Sequence, residues 1–242
     1  VQNIKSNFDI SSLNYLNSSD HKTGDDLNYV KEFFKNYNFH ILLDIATAAG
    51  HFTTVFNSKY KVAVDLSFNM LKTSMNEFQT IPVLTQSEKL PFKDKIFDIV
   101  GCRIAMHHFL RPVKFFSEVK RTLKDSGFFV LIDSIVDIED AYLNDIEYIR
   151  DKSHIRSYTI NEILLFAKGF RLLNFVQIRK THDFYEWAYR LNAKDKVVKG
   201  IEKEFMKLPD LIKNELNLKL DNHNKIVSYT DKKGIFIFEK YD

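Results

Sequence analysis

The sequence predicts an α/β fold: a Rossmann-like, doubly wound, mostly parallel seven-stranded sheet with helices on both faces and a C-terminal helical insertion. Two observations predict it. Short apolar runs alternate with amphipathic helical patterns between about residues 25 and 135, which is the signature of a parallel sheet covered by helices. Those runs end in acids, histidines and a glycine, and in such sheets ligands bind beyond the carboxyl ends of the strands.

The elements follow in order. Residues 1–23 are polar, rich in Asn and Ser, and read as a loose lead-in or part of a lid. Asp25 or Asp26 can cap a helix to about Asn38, with Leu27, Val30 and Phe33-Phe34 on one face. Apolar runs at His40–Ile45, Tyr60–Val64, Ile81–Leu84, Ile96–Cys102 and Phe128–Ile132 supply five strands. Ser67 caps a helix over 68–77, and Pro112 opens another over 112–124 that stops at Ser126-Gly127. Beyond Asp133 a helical stretch at 137–150 leads into Arg150-Asp-Lys-Ser-His154-Ile-Arg156. Thr159 and Glu162 form a capping box for the next helix, which stops at Gly169. Phe170–Ile178 reads as a strand, 182–220 as a helical cap interrupted at Pro209, and Gly234–Lys240 as the last strand, with Lys225–Tyr229 as its hairpin partner. No internal repeat or low-complexity linker divides the 242 residues, which read as one domain: a lead-in and helix to 39, a core over 40–136, and the remainder of the sheet with its cap.

Composition excludes several classes. With 45% hydrophobic and 28% charged residues the chain has the make-up of a globular protein. A net charge of +3, spread without a basic block, gives no footprint for nucleic acid. The single cysteine, Cys102, excludes an internal disulfide or a multi-cysteine metal site. No apolar stretch approaches the ~18–20 residues of a membrane span, and the start lacks a signal-peptide pattern. The expectation is a cytoplasmic protein acting on a small molecule, without metal, membrane or nucleic acid.

The chemistry-bearing residues begin with the loop Asp44-Ile-Ala-Thr-Ala-Ala-Gly50. A pyrophosphate would need glycines spaced G-x-G-x-x-G at such a loop; Ala46, Ala48 and Gly50 stand there instead, in an alternate spacing. Asp65 ends the second strand, 21 residues after Asp44, where an acid can accept both hydroxyls of a ribose. Loop and acid together suit an adenosine-containing ligand without a pyrophosphate; an ordinary turn with a solvated acid is the other reading.

The strings LLDIATAAGHF, VAVDLSFNML, QSEKLPF, FDIVGCRIAMHHF and EVKRTLKDSGFFVLID resemble class I S-adenosylmethionine-dependent methyltransferases. The resemblance extends to the ubiquinone/menaquinone-biosynthesis group, and to uncharacterised bacterial methyltransferases carrying a segment like RDxSHxR before a tryptophan-bearing helix. It runs from about Gly24 onward and implies S-adenosyl-L-methionine as cofactor. It places Asp44 and the Ala46–Gly50 backbone, including Ala48, at the methionine and ribose end. Asp65, with Leu66 beside it, would hold the ribose diol, and Met70 would pack near the adenine. Gln86 and Ser87 would meet the adenine edge, and Arg103 the methionine portion. Gln86 stands where the family usually has Asp, and Ala48 where it most often has Gly.

The resemblance sets His107 and His108 beside the transferred methyl, where a neutral imidazole can deprotonate a nucleophile; alternatively one packs in the core and the other lines the pocket. Asp151 and His154 lie over the pocket as orienting or proton-accepting groups, or form a salt-bridged lead into the capped helix. Trp187, the sole tryptophan, either roofs the substrate site, with Arg156 as a further substrate contact, or anchors the insertion to the sheet. The expected activity is methyl transfer to a small molecule. A non-catalytic adenosyl-ligand-binding protein and an RNA-modifying methyltransferase are the alternatives.

Overall fold

The computed structural model describes residues 24–137, 141–191 and 193–241. The lead-in expected at 1–23 lies outside the described residues. Helices are α1 (Asp25–Phe33), α2 (Phe68–Phe78), α3 (Pro112–Thr122), α4 (Leu143–Arg150), α5 (Ile160–Phe166), α6 (Phe184–Tyr189), α7 (Asp195–Lys207) and α8 (Asp210–Glu215). Strands are β1 (Phe39–Ile45), β2 (Ser58–Asp65), β3 (Ile81–Leu84), β4 (Phe97–Arg103), β5 (Leu123–Ile135), β6 (Phe170–Asp183), β7 (Lys219–Leu220) and β8 (Ile226–Lys240).

The sheet order is β3-β2-β1-β4-β5-β8-β6, with the short β7 paired to β8. The first five strands are parallel neighbours, and β8 lies antiparallel between β5 and β6. The seven expected strands are present, and β7 adds an eighth too short to read from pattern. Alternate residues of the central strands feed two cores. Leu43, Ile45, Val100 and Phe129 pack with Phe115, Phe116 and Val119 of α3 and Ile163 of α5. Leu42, Ile99 and Val130 face the other way, onto Leu27 and Val30 of α1. This two-sided burial is why the strands read as continuous apolar runs rather than alternating ones.

Ser67 and Thr159 cap their helices as expected: each side-chain oxygen accepts a backbone N–H, and Thr159 with Glu162 completes the capping box. Four local expectations are corrected. Neither Asp25 nor Asp26 caps α1; Gly24 occupies that position, and the Asp26 carboxylate is taken by Arg103. The pair Ser126-Gly127 does not stop a helix. It lies inside β5, which begins at Leu123, at a register irregularity where Ser126 has φ +58°. A Cβ on Gly127 would sit 2.8 Å from the Lys124 carbonyl oxygen. Strand β6 continues past Ile178 to Asp183. Lys225–Tyr229 makes no separate hairpin arm, since residues 226–240 form one strand.

The insertion between β6 and β8 has its own core. Phe184, Trp187 and Ala188 of α6 meet Val198, Ile201 and Phe205 of α7, Ile212 of α8, and Leu143 and Ile146 of α4. Tyr229 and Ile226 of β8 close it from the sheet side.

Candidate functional site

One cavity opens at the carboxyl ends of β1, β2 and β4, lined also by residues of α4, of the segment after it, and of the two positions just past α6. Asp44, Ala46, Ala48, Asp65, Leu66, Met70, Gln86, Ser87 and Arg103 line it. So do His107, His108, Asp151 and His154. Residues from six separate sequence segments are therefore brought to one space.

The floor is the loop after β1. Asp44 is buried; its Oδ2 accepts the Thr47 hydroxyl at 2.6 Å, and its Oδ1 has no hydrogen-bond partner. Burial raises its pKa to about 7, with nearby Asp65 adding to the effect against Thr47 and Arg103. Ala46 and Ala48 adopt left-handed backbone, φ +55° and +47°, a region that costs a residue with a Cβ roughly 1–2 kcal/mol. The loop is thus shaped as a glycine loop would be, but with alanines. Ala48 N–H donates to Asp65 Oδ2 at 3.0 Å and Ser67 N–H to Oδ1 at 2.9 Å, which ties the two strand ends together. Gly50 does not line the cavity. Its φ is +96°, and a Cβ there would come 2.4 Å from Ser74 Oγ, so this glycine serves the close packing of the loop on α2.

The adenine side proposed by the resemblance consists of Leu66, the buried Met70, the exposed Gln86 and the buried Ser87. Ser87 Oγ donates to Glu88 Oε2 at 2.8 Å. Arg103, at the end of β4, is pinned by Asp26 of α1, with Nε 2.7 Å from Oδ2. The next residue, Ile104, has φ +52° and also lines the cavity. A β-branched residue in that region is strained, and such strain is found at ligand sites where the surroundings hold it.

A cluster of imidazoles also lines the cavity. Ring centroids of His107 and His108 lie 4.1 Å apart, and those of His107 and His154 5.3 Å. His107 Nδ1 is 2.6 Å from Asp133 Oδ1, and its backbone N–H donates to Oδ2 of the same carboxylate at 3.2 Å. His108 Nδ1 meets the Ser153 carbonyl at 3.0 Å, and His154 Nε2 meets Asn144 Oδ1 at 3.0 Å. Asp151 accepts the backbone N–H and hydroxyl of Ser153. Burial, reinforced by the charge of His107, pushes His108 down to about 3 and His154 down to about 4. His107 goes the other way: burial opposes its charged form, but Asp133, Glu147 and Asp151 outweigh it and raise its pKa. Among the described residues no group of His, Cys, Asp and Glu is arranged to hold a metal ion.

Two expected substrate contacts are corrected. Trp187 is buried in the core of the insertion and does not line the cavity. Its ring instead supports Arg150, whose guanidinium stacks 4.5 Å from the ring centroid, and it is Arg150 that reaches the cavity wall. Arg156 is exposed and pairs with Glu162 at 2.7 Å, away from the cavity lining. Asp133, Glu147, Arg190 and Leu191 were not singled out from sequence. Asp133 carries a signal, since it ends an apolar strand run as Asp44 and Asp65 do; Glu147 sits in α4, and Arg190 and Leu191 just past the end of α6, where only the packing reveals which residues meet the cavity.

Residues 43–131 match the family described as a methyltransferase domain. The Bacillus subtilis protein named uncharacterized methyltransferase YcgJ is 34% identical over 134 residues, which cover 51% of this chain and 53% of YcgJ. The chain therefore spans about half the length of that relative. Uncharacterized protein YafE of Escherichia coli is 30% identical over 151 residues, 58% of this chain and 73% of YafE. The crystal structure of BH2331 from Bacillus halodurans, provisionally assigned as a methyltransferase, superposes with a TM-score of 0.85 at 28% identity, covering 90% of this chain and all of that one. The YcgJ structure gives a TM-score of 0.82 over 90% of this chain and 98% of its own.

Proposed function

The chain belongs to the methyltransferase-domain family, and from that premise we propose that it transfers a methyl group from S-adenosyl-L-methionine to a small-molecule acceptor. The observation that carries the cofactor is Asp44 Oδ1, a buried carboxylate oxygen with no partner on the cavity floor. A buried acceptor left unmade is costly, and a cationic ligand bearing N–H donors supplies the missing partner. Asp65 offers a second anchor. A carboxylate has about four acceptor sites, so it can take ribose hydroxyls while holding the amides of Ala48 and Ser67. Leu66 and Met70 give an apolar seat beside Gln86 and Ser87, which suits a purine ring with a polar edge.

The cofactor's sulfonium supplies an already activated methyl. The protein's own residues then have to orient the acceptor, exclude water and manage a proton. The imidazole cluster lines the same cavity as Asp44 and Asp65, together with Arg150 of α4 and with Arg190 and Leu191 just past α6. The acceptor belongs beside that cluster. The chain's compartment follows from the same reading as cytoplasmic, where the cofactor is made available; no described helix is long and apolar enough to cross a membrane.

Titration calorimetry with S-adenosylmethionine, its demethylated product and NAD tests the assignment. The two adenosyl ligands should bind and NAD should not. Asp65→Ala should weaken adenosyl binding at least tenfold, since each hydrogen bond to a charged acceptor is worth about 1.5–3 kcal/mol. Tighter binding of NAD overturns the reading.

A further inference from the structure

We propose that Asp133 holds His107 as a positioned base, and that the acceptor is therefore a molecule whose nucleophilic atom carries a proton, a hydroxyl or an acidic C–H, rather than a ready-made carboxylate. This rests on the methyl-transfer reading of the same site.

The geometry is specific. Asp133 lies two residues before the end of β5, is itself wholly buried, and grips one residue twice, through the ring Nδ1 and the backbone N–H of His107. Its Oδ1 also accepts the Ser134 N–H at 2.7 Å. Burial works against the Asp133 carboxylate, but His107 and the Ser134 amide keep its pKa below the usual value. An ionised carboxylate can only accept, so Nδ1 must carry hydrogen and the neutral ring presents its lone pair at Nε2. Nε2 makes no hydrogen bond to the described residues, and the ring lines the cavity.

The other imidazoles do not compete for this task. His108 faces the Ser153 carbonyl and His154 the Asn144 amide, neither of which strengthens a base as a carboxylate does. Their depressed pKa values make both weak bases, whereas His107 is the strong one. The ionisable groups around His107 are Asp133 from β5, Glu147 from α4, Asp151 and His154 from the following segment, and the adjacent His108.

In the step, the acceptor's X–H bond breaks and its proton passes to His107 Nε2. The X–H pair forms the new bond to the methyl carbon, and the old carbon–sulfur pair stays on sulfur, leaving a neutral thioether. A carboxylate acceptor, already ionised near neutrality, would make the dyad idle.

Nitrogen-15 histidine spectra of the protein across pH, alone and with S-adenosylmethionine, read the dyad without turnover. His107 should be the Nδ1–H tautomer, titrating above His108 and His154. Asp133→Asn should abolish that tautomer preference and move its titration to lower pH by a unit or more. Labelled-methyl transfer to phenol and to benzoate at saturating cofactor reads the acceptor class. Phenol should be methylated, with an acid limb in its pH profile that moves with Asp133→Asn. Asp133→Asn should lower kcat at least tenfold with little change in KM or in cofactor binding. An Nε2–H tautomer for His107, or benzoate methylated in preference and undiminished in His107→Gln, overturns the proposal. Failure of the adenosyl ligands to bind in calorimetry would instead remove the methyl-transfer reading, while the spectra still judge the dyad.

Discussion

Arg103 at the end of β4 and Asp26 in the first turn of α1 form a buried ion pair, with Nε 2.7 Å from Oδ2 and both side chains about one-twentieth exposed, 5% and 4%. Seventy-seven residues separate them in sequence, so the pair fastens the first described helix to the cavity wall. Burial alone would raise the Asp26 pKa; Arg103, with help from Lys233, more than reverses it. Removing one partner of a buried pair costs about 3–5 kcal/mol because the other charge is stranded. Arg103→Met should therefore lower stability in urea unfolding by about 3 kcal/mol, the low end, since Lys233 still faces Asp26. The double change Arg103→Met with Asp26→Leu should recover most of that loss.

Ala48 carries a side chain in left-handed backbone. Ala48→Gly relieves that strain and gives back unfolded-chain entropy, leaving a net gain of roughly 0.5–1 kcal/mol. The same change opens the cavity floor, so adenosyl affinity should rise by calorimetry. Gln86→Asp should raise it independently, a carboxylate being the stronger acceptor for an amino group. A loss of affinity in either variant would show that the loop has adapted to the residues present.

Asp44 should make stability depend on pH. Its pKa is raised in the folded protein to about 7, so the folded state holds a proton that the unfolded chain releases near the ordinary carboxylate value. Stability from this group is complete below about pH 4 and is lost as pH climbs through 7. Asp44→Asn keeps an acceptor for the Thr47 hydroxyl and removes the charge. It should raise stability by about 2 kcal/mol at pH 8, within the bound of 1.36 kcal/mol per unit, and by nothing measurable at pH 4. Thermal unfolding at the two pH values checks this.

Trp187→Ala should behave as a core truncation, costing about 3–5 kcal/mol, because the ring packs against Phe184, Phe205 and Tyr229. Adenosyl affinity, measured by calorimetry on the folded fraction, should stay within twofold of the parent protein. A large loss of affinity with stability intact would put the ring back at the ligand.

Strand ends were legible from sequence because burial on both faces of a parallel sheet leaves unbroken apolar runs, and the acids Asp44 and Asp65 stand where those runs stop. The loop residues Ala46 and Ala48 could be placed but not their backbone, since alanine gives no hint of a positive φ. Between the two expected arms, Lys225–Tyr229 and Gly234–Lys240, the charged stretch Asp231-Lys232-Lys233 carries no strand pattern. In the structure Lys232 and Lys233 are only 5% and 6% exposed, and Lys232 is neutralised by Asp137 and Glu215 from distant segments. Trp187 is ambiguous in the sequence for a related reason, and of its two readings the structure shows the anchor. A lone tryptophan among tyrosines suits a ligand wall as well as a core, and only the arrival of α7 and β8 on its two sides decides between them.

The placement of β8 between β5 and β6 bears on the order in which the chain can be assembled during synthesis. Strand β6 leaves the ribosome more than forty residues ahead of β8, yet among the described strands its only neighbour is β8. Until residues 226–240 emerge, β6 is a fourteen-residue strand without a partner, and β5 ends the sheet as an open edge. Pairing of such distant segments is slow and leaves strand edges open to other chains. The cavity floor formed by β1, β2 and β4 can be complete well before then. The wall that carries Arg190 and Leu191 cannot, because the helices behind it close on Ile226 and Tyr229 of the strand still to come. A nascent chain would thus complete the Asp44 and Asp65 part of the cavity first and the Arg190 and Leu191 part last.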